Sequence, residues 1–280
     1  MNPPAGEGGP LGPLGPLGPL GPLGPLGLRL FVAEPLLAAG ADIALPEGPA
    51  RHVMVRRLQP GDTLHLFDGA SGVEWPAEVL AITRRGVRVR LGTAARPAAA
   101  AELPIAVTLA FGMPANERAD TLVEKATELG AAALQPLTTE RTVLRLAGER
   151  AERKRAHWQA IAAAACEQCG RARVPVVHGV RELGPWLVEA AAHRSAVGAQ
   201  AKPPGYLLST APEAAPWRST WPASARATQV VLLSGPEGGF SAAEHQQACD
   251  AGFATTSLGP RILRADTAPL AALAALALSL

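Results

Sequence analysis

Cysteine is scarce in this 280-residue chain: Cys166 and Cys169 form a C-x-x-C and Cys249 stands alone. An odd, sparse set excludes a secreted disulfide framework and points to a reducing compartment. A structural zinc site needs two more ligands at suitable spacing, and no second pair is present, so no metal is expected. Thioredoxin-like chemistry is disfavoured too, because the pair lies in an Ala-rich helical run rather than after a strand. Lysine is almost missing, confined to Lys125, Lys154 and Lys202, so the basic charge is nearly all arginine. Arginine holds phosphate bidentately and stacks on bases, which suits RNA; a genome favouring Arg and Ala codons gives the same bias. A strong excess of one charge is absent as well: the formal net charge is +2, which by itself announces no nucleic-acid partner. Long hydrophobic runs are lacking. The longest apolar stretch, Ala268 to Leu280, is too short to span a bilayer and contains Pro269. The N-terminus has neither a basic region nor a continuous apolar core, so no signal peptide is expected and the location reads as cytoplasmic.

What is present is a globular composition, 48% hydrophobic, with room for two modest domains or one large one. Residues Gly9 to Leu26 are Gly-Pro-Leu triplets. Collagen shares that period, but a triple helix needs three chains in register, so residues 1–27 read as a disordered tail with polyproline-II character. From Leu28 to about Arg96, short runs such as Thr63–Phe67, Val73–Leu80 and Gly86–Leu91 alternate or carry β-branched residues between turn signals at Pro60-Gly61-Asp62, Asp68-Gly69 and Arg85-Gly86. That pattern predicts a small barrel. Arg88 and Arg90 share one face of a strand, either an RNA-facing stripe or an ordinary solvated face.

Ala94 to Glu102 reads as a linker. Beyond it the rhythm changes to strands near 105–111, 134, 174–177, 205–208 and 229–234, alternating with helices over 117–129, 150–168 and 186–192. Gly130 and Gly170 are placed to end the first two helices. This alternation predicts an α/β domain over 102–280 with a largely parallel sheet.

Two loops carry the chemistry. Ser234-Gly-Pro-Glu-Gly-Gly-Phe240 follows a buried strand and leads into Ser241-Ala-Ala-Glu244, a capping-box pattern that starts a helix. Ser257 to Thr267 follows a strand around Phe253 to Thr256 and enters the last helix, with Asp266 or Thr267 as cap and Pro269 in its first turn. Loops at the carboxyl ends of parallel strands are where such sheets bind ligands. Neither a P-loop nor a Rossmann fingerprint fits, because no Lys follows the glycines and the glycine spacing is wrong. From the residues alone these segments read as a ligand pocket or as tight strand-to-helix turns.

The strings LLSGPEGGFS at Leu232 to Ser241 and LGPRILRADTA at Leu258 to Ala268 resemble the paired signature of the SPOUT methyltransferases. LVEKATELGAAALQPLTTERT from Leu122, WQAIAAAACEQCGRARVP from Trp158, and the segments at Arg29 to Val32 and Arg51 to Asp62 narrow the resemblance to the RsmE family of 16S ribosomal RNA uridine N(3)-methyltransferases. The resemblance covers nearly everything from Leu28 onward. It implies a PUA-like β-barrel RNA-binding domain over 28–96 and a SPOUT-type parallel sheet with a C-terminal deep trefoil knot over 102–280. It further implies an obligate homodimer, and S-adenosyl-L-methionine held by Leu233, Gly235, Pro236, Glu237 and Gly238 of the first loop and by Leu258, Gly259, Arg261, Ile262 and Leu263 of the second. The implied partner is 16S rRNA or the small ribosomal subunit, with Arg29, Arg51, Arg56, Arg57, Arg171 and Arg173 as RNA-binding residues. Ala115 stands where the family commonly has a basic residue, and Ala172 where it often has Asn.

Uracil N(3) is protonated in its neutral form, so the reaction needs a base and stabilisation of the uracilate anion. Arg264 is the expected anion stabiliser. Glu237 and Asp266 are the nearest carboxylates, and for Asp266 a cap role competes with catalysis. A ribose 2'-O-methyltransferase of the same superfamily and a catalytically inactive ribosome-assembly factor are the alternatives; the intact GPEGG and LGPRILR segments weigh against the second.

Overall fold

The structure is a computed structural model that describes residues 27–36, 39–93, 96–196, 203–221 and 227–280. The Gly-Pro-Leu tract and the expected tail up to residue 26 lie outside the described residues.

The N-terminal part holds β1 (Arg29–Phe31), β2 (Asp42–Ala44), α1 (Glu47–Val55), β3 (Thr63–Phe67), β4 (Val73–Thr83), β5 (Gly86–Leu91) and β6 (Arg96–Pro97). They form one sheet in the order β1-β3-β4-β5-β2, with β6 pairing β4. All pairings are antiparallel except β1 with β3. Period-2 alternation explains the pleat: in β5, Val87, Val89 and Leu91 are buried while Arg88 and Arg90 face out. The inward side chains join Leu30, Val53, Leu64, Leu66 and Val79 in a core of their own. The expected linker is partly structured, since Arg96 and Pro97 pair with Glu74 and Val73. Ladder partners supplied from a distant strand override the Ala- and Pro-rich composition there.

The second part runs β7 (Ala106–Gly112), α2 (Asn116–Glu128), β8 (Ala133–Thr138), α3 (Gly148–Cys169), β9 (Val176–Val177), β10 (Arg181–Glu182), α4 (Leu183–Ala196), β11 (Gly205–Leu208), β12 (Ala215–Pro216), α5 (Trp217–Thr220), β13 (Gln229–Ser234), α6 (Ala242–Asp250), β14 (Ala254–Ser257) and α7 (Thr267–Ala277). The sheet order is β10-β8-β7-β13-β11-β14-β12, with β9 pairing β8, and every pairing is parallel. Both faces of the central strands are covered, so β7, β11 and β13 read as nearly continuous apolar runs. In β13, Val230 and Leu232 enter the core shared with α2, α3 and α7, whereas Val231 and Leu233 face the core shared with α4 and α6.

The helices follow their apolar spacing. Ala119, Leu122, Val123 and Ala126 make one buried stripe of α2, and Trp158, Ala162, Ala165 and Cys166 make that of α3. Gly170 ends α3 in the left-handed region at φ 92°. The Ser241–Glu244 capping box forms with both of its hydrogen bonds. These packed helices hold the carboxyl ends of β7, β13, β11 and β14 at one edge of the sheet.

Candidate active site

A cavity of about 620 Å³ opens at that edge. Three loops build it, each leaving the carboxyl end of a neighbouring parallel strand: Leu208-Ser209-Thr210 after β11, Ser234 to Phe240 after β13, and Leu258 to Ala265 after β14. Ala268 of α7, His245 of α6, Arg118 of α2 and Arg141 beyond β8 complete the wall.

The Gly-Pro-Glu-Gly-Gly loop is folded tightly onto its neighbours. Gly112, at the end of β7, lets Pro236 lie directly against it; a Cβ there would come within 2.5 Å of the Pro236 ring. Gly238 is covered by the Arg141 side chain, whose Cβ a side chain at Gly238 would meet at 2.9 Å. Arg141 Nη1 donates to the Gly238 carbonyl at 2.9 Å. The Arg141 turn is itself pinned. Thr139 N donates to Thr142 Oγ1 at 2.9 Å, and Glu140 N donates to Glu244 Oε1 at 2.7 Å.

Most of the residues expected to hold a cofactor do line the cavity: Gly235, Pro236, Glu237, Gly238, Leu258, Gly259, Arg261, Ile262 and Leu263. Leu233 does not. It is wholly buried in β13, paired with Ala110 and Leu207, and packs into the core behind the loop.

The candidate catalytic residues separate. Arg264 is exposed on the cavity wall, and its guanidinium makes no hydrogen bond or ion pair among the described residues. Glu237 also lines the cavity, but its Oε1 accepts from Ala115 N at 3.0 Å and lies 3.4 Å from Arg118 Nη1. Ala115 is the N-cap position of α2, and the Glu237 carboxylate, on the loop after the neighbouring strand β13, satisfies its backbone N–H and places negative charge at that helix end. Asp266 takes up the cap role that the sequence also allows: it is the N-cap of α7, accepts from Thr267 N at 3.1 Å, and does not line the cavity. A carboxylate before an apolar helix fits a cap and a catalyst equally in sequence; only the fold shows where it points.

The expected RNA-binding arginines separate as well. Arg51, Arg56 and Arg57 are exposed on α1 and the turn after it. Arg29 is 3% exposed and Arg171 also 3%, so the expectation that both face RNA is corrected. Arg29 Nη1 donates to the Cys166 carbonyl at 2.6 Å and Nη2 to the Arg171 carbonyl at 3.0 Å. Its Nε pairs with Glu74 at 2.9 Å, and the guanidinium lies 4.8 Å from the centre of the Phe67 ring. Arg171 is held by Glu102 and by the carbonyls of Thr127 and Ala131. Arg173 is exposed, yet it donates to the carbonyls of Ala70 and Ser71 in the β3–β4 turn. Arg29 and Arg173 tie the N-terminal part to the second part: Arg29 reaches a carbonyl in the last turn of α3 that the helix itself cannot satisfy, and Arg173 reaches the β3–β4 turn. Arg90 is taken up by Asp42 in a two-pronged pair at 2.7 and 3.2 Å, which favours the solvated-face reading of its strand. Cys166 is buried at the same junction and Cys169 partly so; both thiols are free.

Leu208 to Thr210, Phe240, His245, Arg118 and Arg141 were missed as wall residues. The first three could be suspected as the continuation of an apolar strand, but the arginines lie far from the loops in sequence. Among the described residues no group of three or more His, Cys, Asp or Glu side chains is placed to hold a metal ion, and no helix is long and apolar enough to cross a membrane.

Residues 101–277 match the family model described as an RNA methyltransferase domain. The chain is 36% identical over 221 residues to the ribosomal RNA small subunit methyltransferase E of Synechocystis sp., covering 79% of this chain and 67% of that protein. It is 32% identical over 247 residues to the Mycobacterium bovis protein of the same name, covering 88% and 90%. Among solved structures, the Neisseria gonorrhoeae ribosomal RNA small subunit methyltransferase E bound to S-adenosyl methionine superposes with a TM-score of 0.76 at 31% identity, covering 89% of this chain and 96% of that one. A Legionella pneumophila methyltransferase in complex with the same cofactor superposes at 0.77 and 30% identity, covering 90% and 97%. A cavity of strand-end loops around a glycine-rich turn, on a parallel sheet that superposes on these proteins nearly end to end, places the chain in the ribosomal RNA small subunit methyltransferase E family.

Proposed function

We propose that this protein transfers a methyl group from S-adenosyl-L-methionine to N(3) of one uridine in 16S ribosomal RNA. The observation that carries the reading is the three-loop cavity, built on the Gly-Pro-Glu-Gly-Gly turn at the carboxyl edge of a parallel sheet.

The residues present fit the cofactor. The volume suits a small organic group, and the wall mixes apolar side chains of Leu208, Leu258 and Leu263 with loop backbone. Among the described residues His245 Nε2 is buried without a hydrogen-bond partner, the kind of atom a ligand's polar group satisfies. When bound, the cofactor supplies an electrophilic methyl group on a sulfonium. The chain's own residues do the rest. The loop residues Gly235 to Gly238 and Leu258 to Leu263 would hold the cofactor. The uridine leaves its stack to enter the mouth. Arg264 faces the uracil carbonyl oxygens and stabilises the anion formed as N(3) loses its proton, which passes to solvent.

Around this centre, the strand order and the return of α7 against β13 and α2 suit a C-terminal trefoil knot. The six-stranded N-terminal sheet suits a PUA-like barrel that presents Arg51, Arg56 and Arg57 to RNA. Ile262 at the cavity and Leu278 at the end of α7 are 87% and 90% exposed, which fits burial against a second copy in a homodimer. Cytoplasmic residence follows from the ribosomal substrate.

The test is methyl transfer from labelled S-adenosylmethionine to unmodified small-subunit rRNA, with the product nucleoside identified by mass. N(3)-methyluridine is expected; a ribose-methylated nucleoside, or no transfer, sinks the reading. Arg264→Ala is expected to lower the rate by about 10²–10³ with cofactor affinity retained, and raising the pH should recover part of it. Loss of cofactor binding without recovery at high pH would remove Arg264 from the chemistry.

A further inference from the structure

The cavity wall carries arginines on both flanks. Arg261 and Arg264 come from the loop after β14. Arg118 and Arg141 follow β7 and β8, which lie beyond β13 on the opposite side of the sheet. Against these four guanidiniums the wall offers one carboxylate, Glu237, already shared between Ala115 N and Arg118. The cofactor's reacting centre is a sulfonium cation, which gains nothing from four more positive charges. An anion must therefore meet them.

We propose that Arg118 and Arg141 grip backbone phosphates of the RNA strand next to the target uridine, on the flank away from Arg264. The inference rests on the methyltransferase reading and extends it.

Placement and donor capacity both support it. Arg118 sits in the first turn of α2, where the helix dipole disfavours a cation, so helix stability does not account for it. Its side chain is 40% exposed, and the one ion pair it makes among the described residues, to Glu237, is long at 3.4 Å. Arg141 is exposed and commits Nη1 to the Gly238 carbonyl. A guanidinium has five N–H donors in a fixed fork, so both arginines keep donors for phosphate oxygens. Arg141 is held on a pinned turn by the Thr139, Thr142 and Glu140 hydrogen bonds, which lowers the ordering cost of gripping a strand. Contacts of this kind fix the register of the RNA and carry no base specificity.

Arg118→Gln, Arg141→Gln and the double variant, with Arg→Lys partners as charge-keeping controls, test the proposal in the full chain. Binding of S-adenosylhomocysteine is followed by calorimetry. Binding of a fluorescent, unmodified small-subunit rRNA fragment is followed across a salt series. The double Gln variant is expected to bind RNA roughly tenfold more weakly, with a log K against log salt slope shallower by about 1.4, near 0.7 per lost phosphate contact. The Lys variants should keep most of the slope, and in the Gln variants the loss of RNA affinity should exceed any loss of affinity for the cofactor product. Thermal melts identify variants that fail to fold, and the single variants then carry the test. Weakened cofactor binding with an unchanged salt slope would assign the arginines to the cofactor's carboxylate and overturn the proposal. Unchanged behaviour in both assays would overturn it too. Wild-type methyl transfer, run alongside, judges the enzymatic reading separately: its absence defeats that reading, whereas an unchanged slope beside active wild type defeats only the phosphate grip.

Discussion

Glu237 has one role by its position in the sequence and another by its position in space. In the linear chain it is the carboxylate of a ligand loop and so a candidate base. In the folded chain its Oε1 accepts the Ala115 N–H at 3.0 Å, satisfying a backbone donor at the start of α2 that the helix leaves unpaired. The carboxylate thereby ties the cavity loop to a helix N-terminus, where negative charge is favourable. Glu237→Gln keeps the acceptor oxygen and is expected to fall well short of the roughly 10²–10⁴ loss in rate that marks removal of a general base. Glu237→Ala removes the tie and should weaken cofactor binding along with the rate. Steady-state rates and calorimetry on the two variants separate the roles: a Gln variant as inactive as the Ala variant, with cofactor binding intact, would restore Glu237 as the base.

At the scale of elements, α2 and α3 illustrate what periodicity conveys and what it omits. Their buried stripes, and the glycines Gly130 and Gly170 that follow them, were readable from apolar spacing and from residues able to take positive φ. The polar clasp between the helices was not, because its partners are more than thirty residues apart. Asp120 Oδ1 accepts from Lys154 Nζ at 2.7 Å and from the Trp158 indole at 2.9 Å, and Oδ2 meets His157 Nε2 at 3.0 Å. Burial pushes the Asp120 carboxyl up, but the hydrogen bonds from Lys154, His157 and Trp158 outweigh it and hold the pKa below its ordinary value. A depressed carboxyl pKa adds stability above the unfolded-state value, and that stability is lost as pH falls through the folded value. Asp120→Ala should therefore cost about 1–3 kcal/mol at neutral pH, since it leaves the indole N–H of the buried Trp158 without a partner. The cost should shrink only as the pH falls below the ordinary carboxylate range, because the wild-type carboxyl protonates at its depressed value. Urea titrations at neutral and acidic pH measure both; a cost independent of pH would show that the ionised form contributes nothing.

At the scale of the whole molecule, the junction between the parts of the chain that carry the two sheets is a charge-assisted seam. Arg29 of β1 reaches the end of α3, and Glu102 gathers Arg171 together with the backbone N–H groups of Ala172 and Arg173. Phe67, Cys166 and Ala172 form a small apolar cluster beneath. Deleting the N-terminal sheet would expose this seam, so loss of activity in a truncated chain would not isolate RNA binding. Point substitution is the cleaner probe. Arg29→Ala removes one partner of a buried network and should destabilise the protein by about 3–5 kcal/mol. Arg51→Ala, on the exposed face of α1, should leave the melting temperature nearly unchanged. Equal melting temperatures for the two variants would contradict the buried role of Arg29.

The sequence by itself determined the α/β class, the parallel sheet, the two cavity loops and the family, because hydrophobic period, capping patterns and contiguous motifs are local properties of the chain. The tertiary structure decided which charges work and which merely hold the fold. Arg29, Arg171 and Arg173 sit at the junction, Asp266 caps a helix, and Glu237 secures a loop, while Arg118 and Arg141 arrive at the cavity from strands β7 and β8. A guanidinium or carboxylate looks the same in sequence whether it is buried against carbonyls or open to a ligand. The difference lies in the partners that folding brings from tens of residues away, and sheet order alone fixes those.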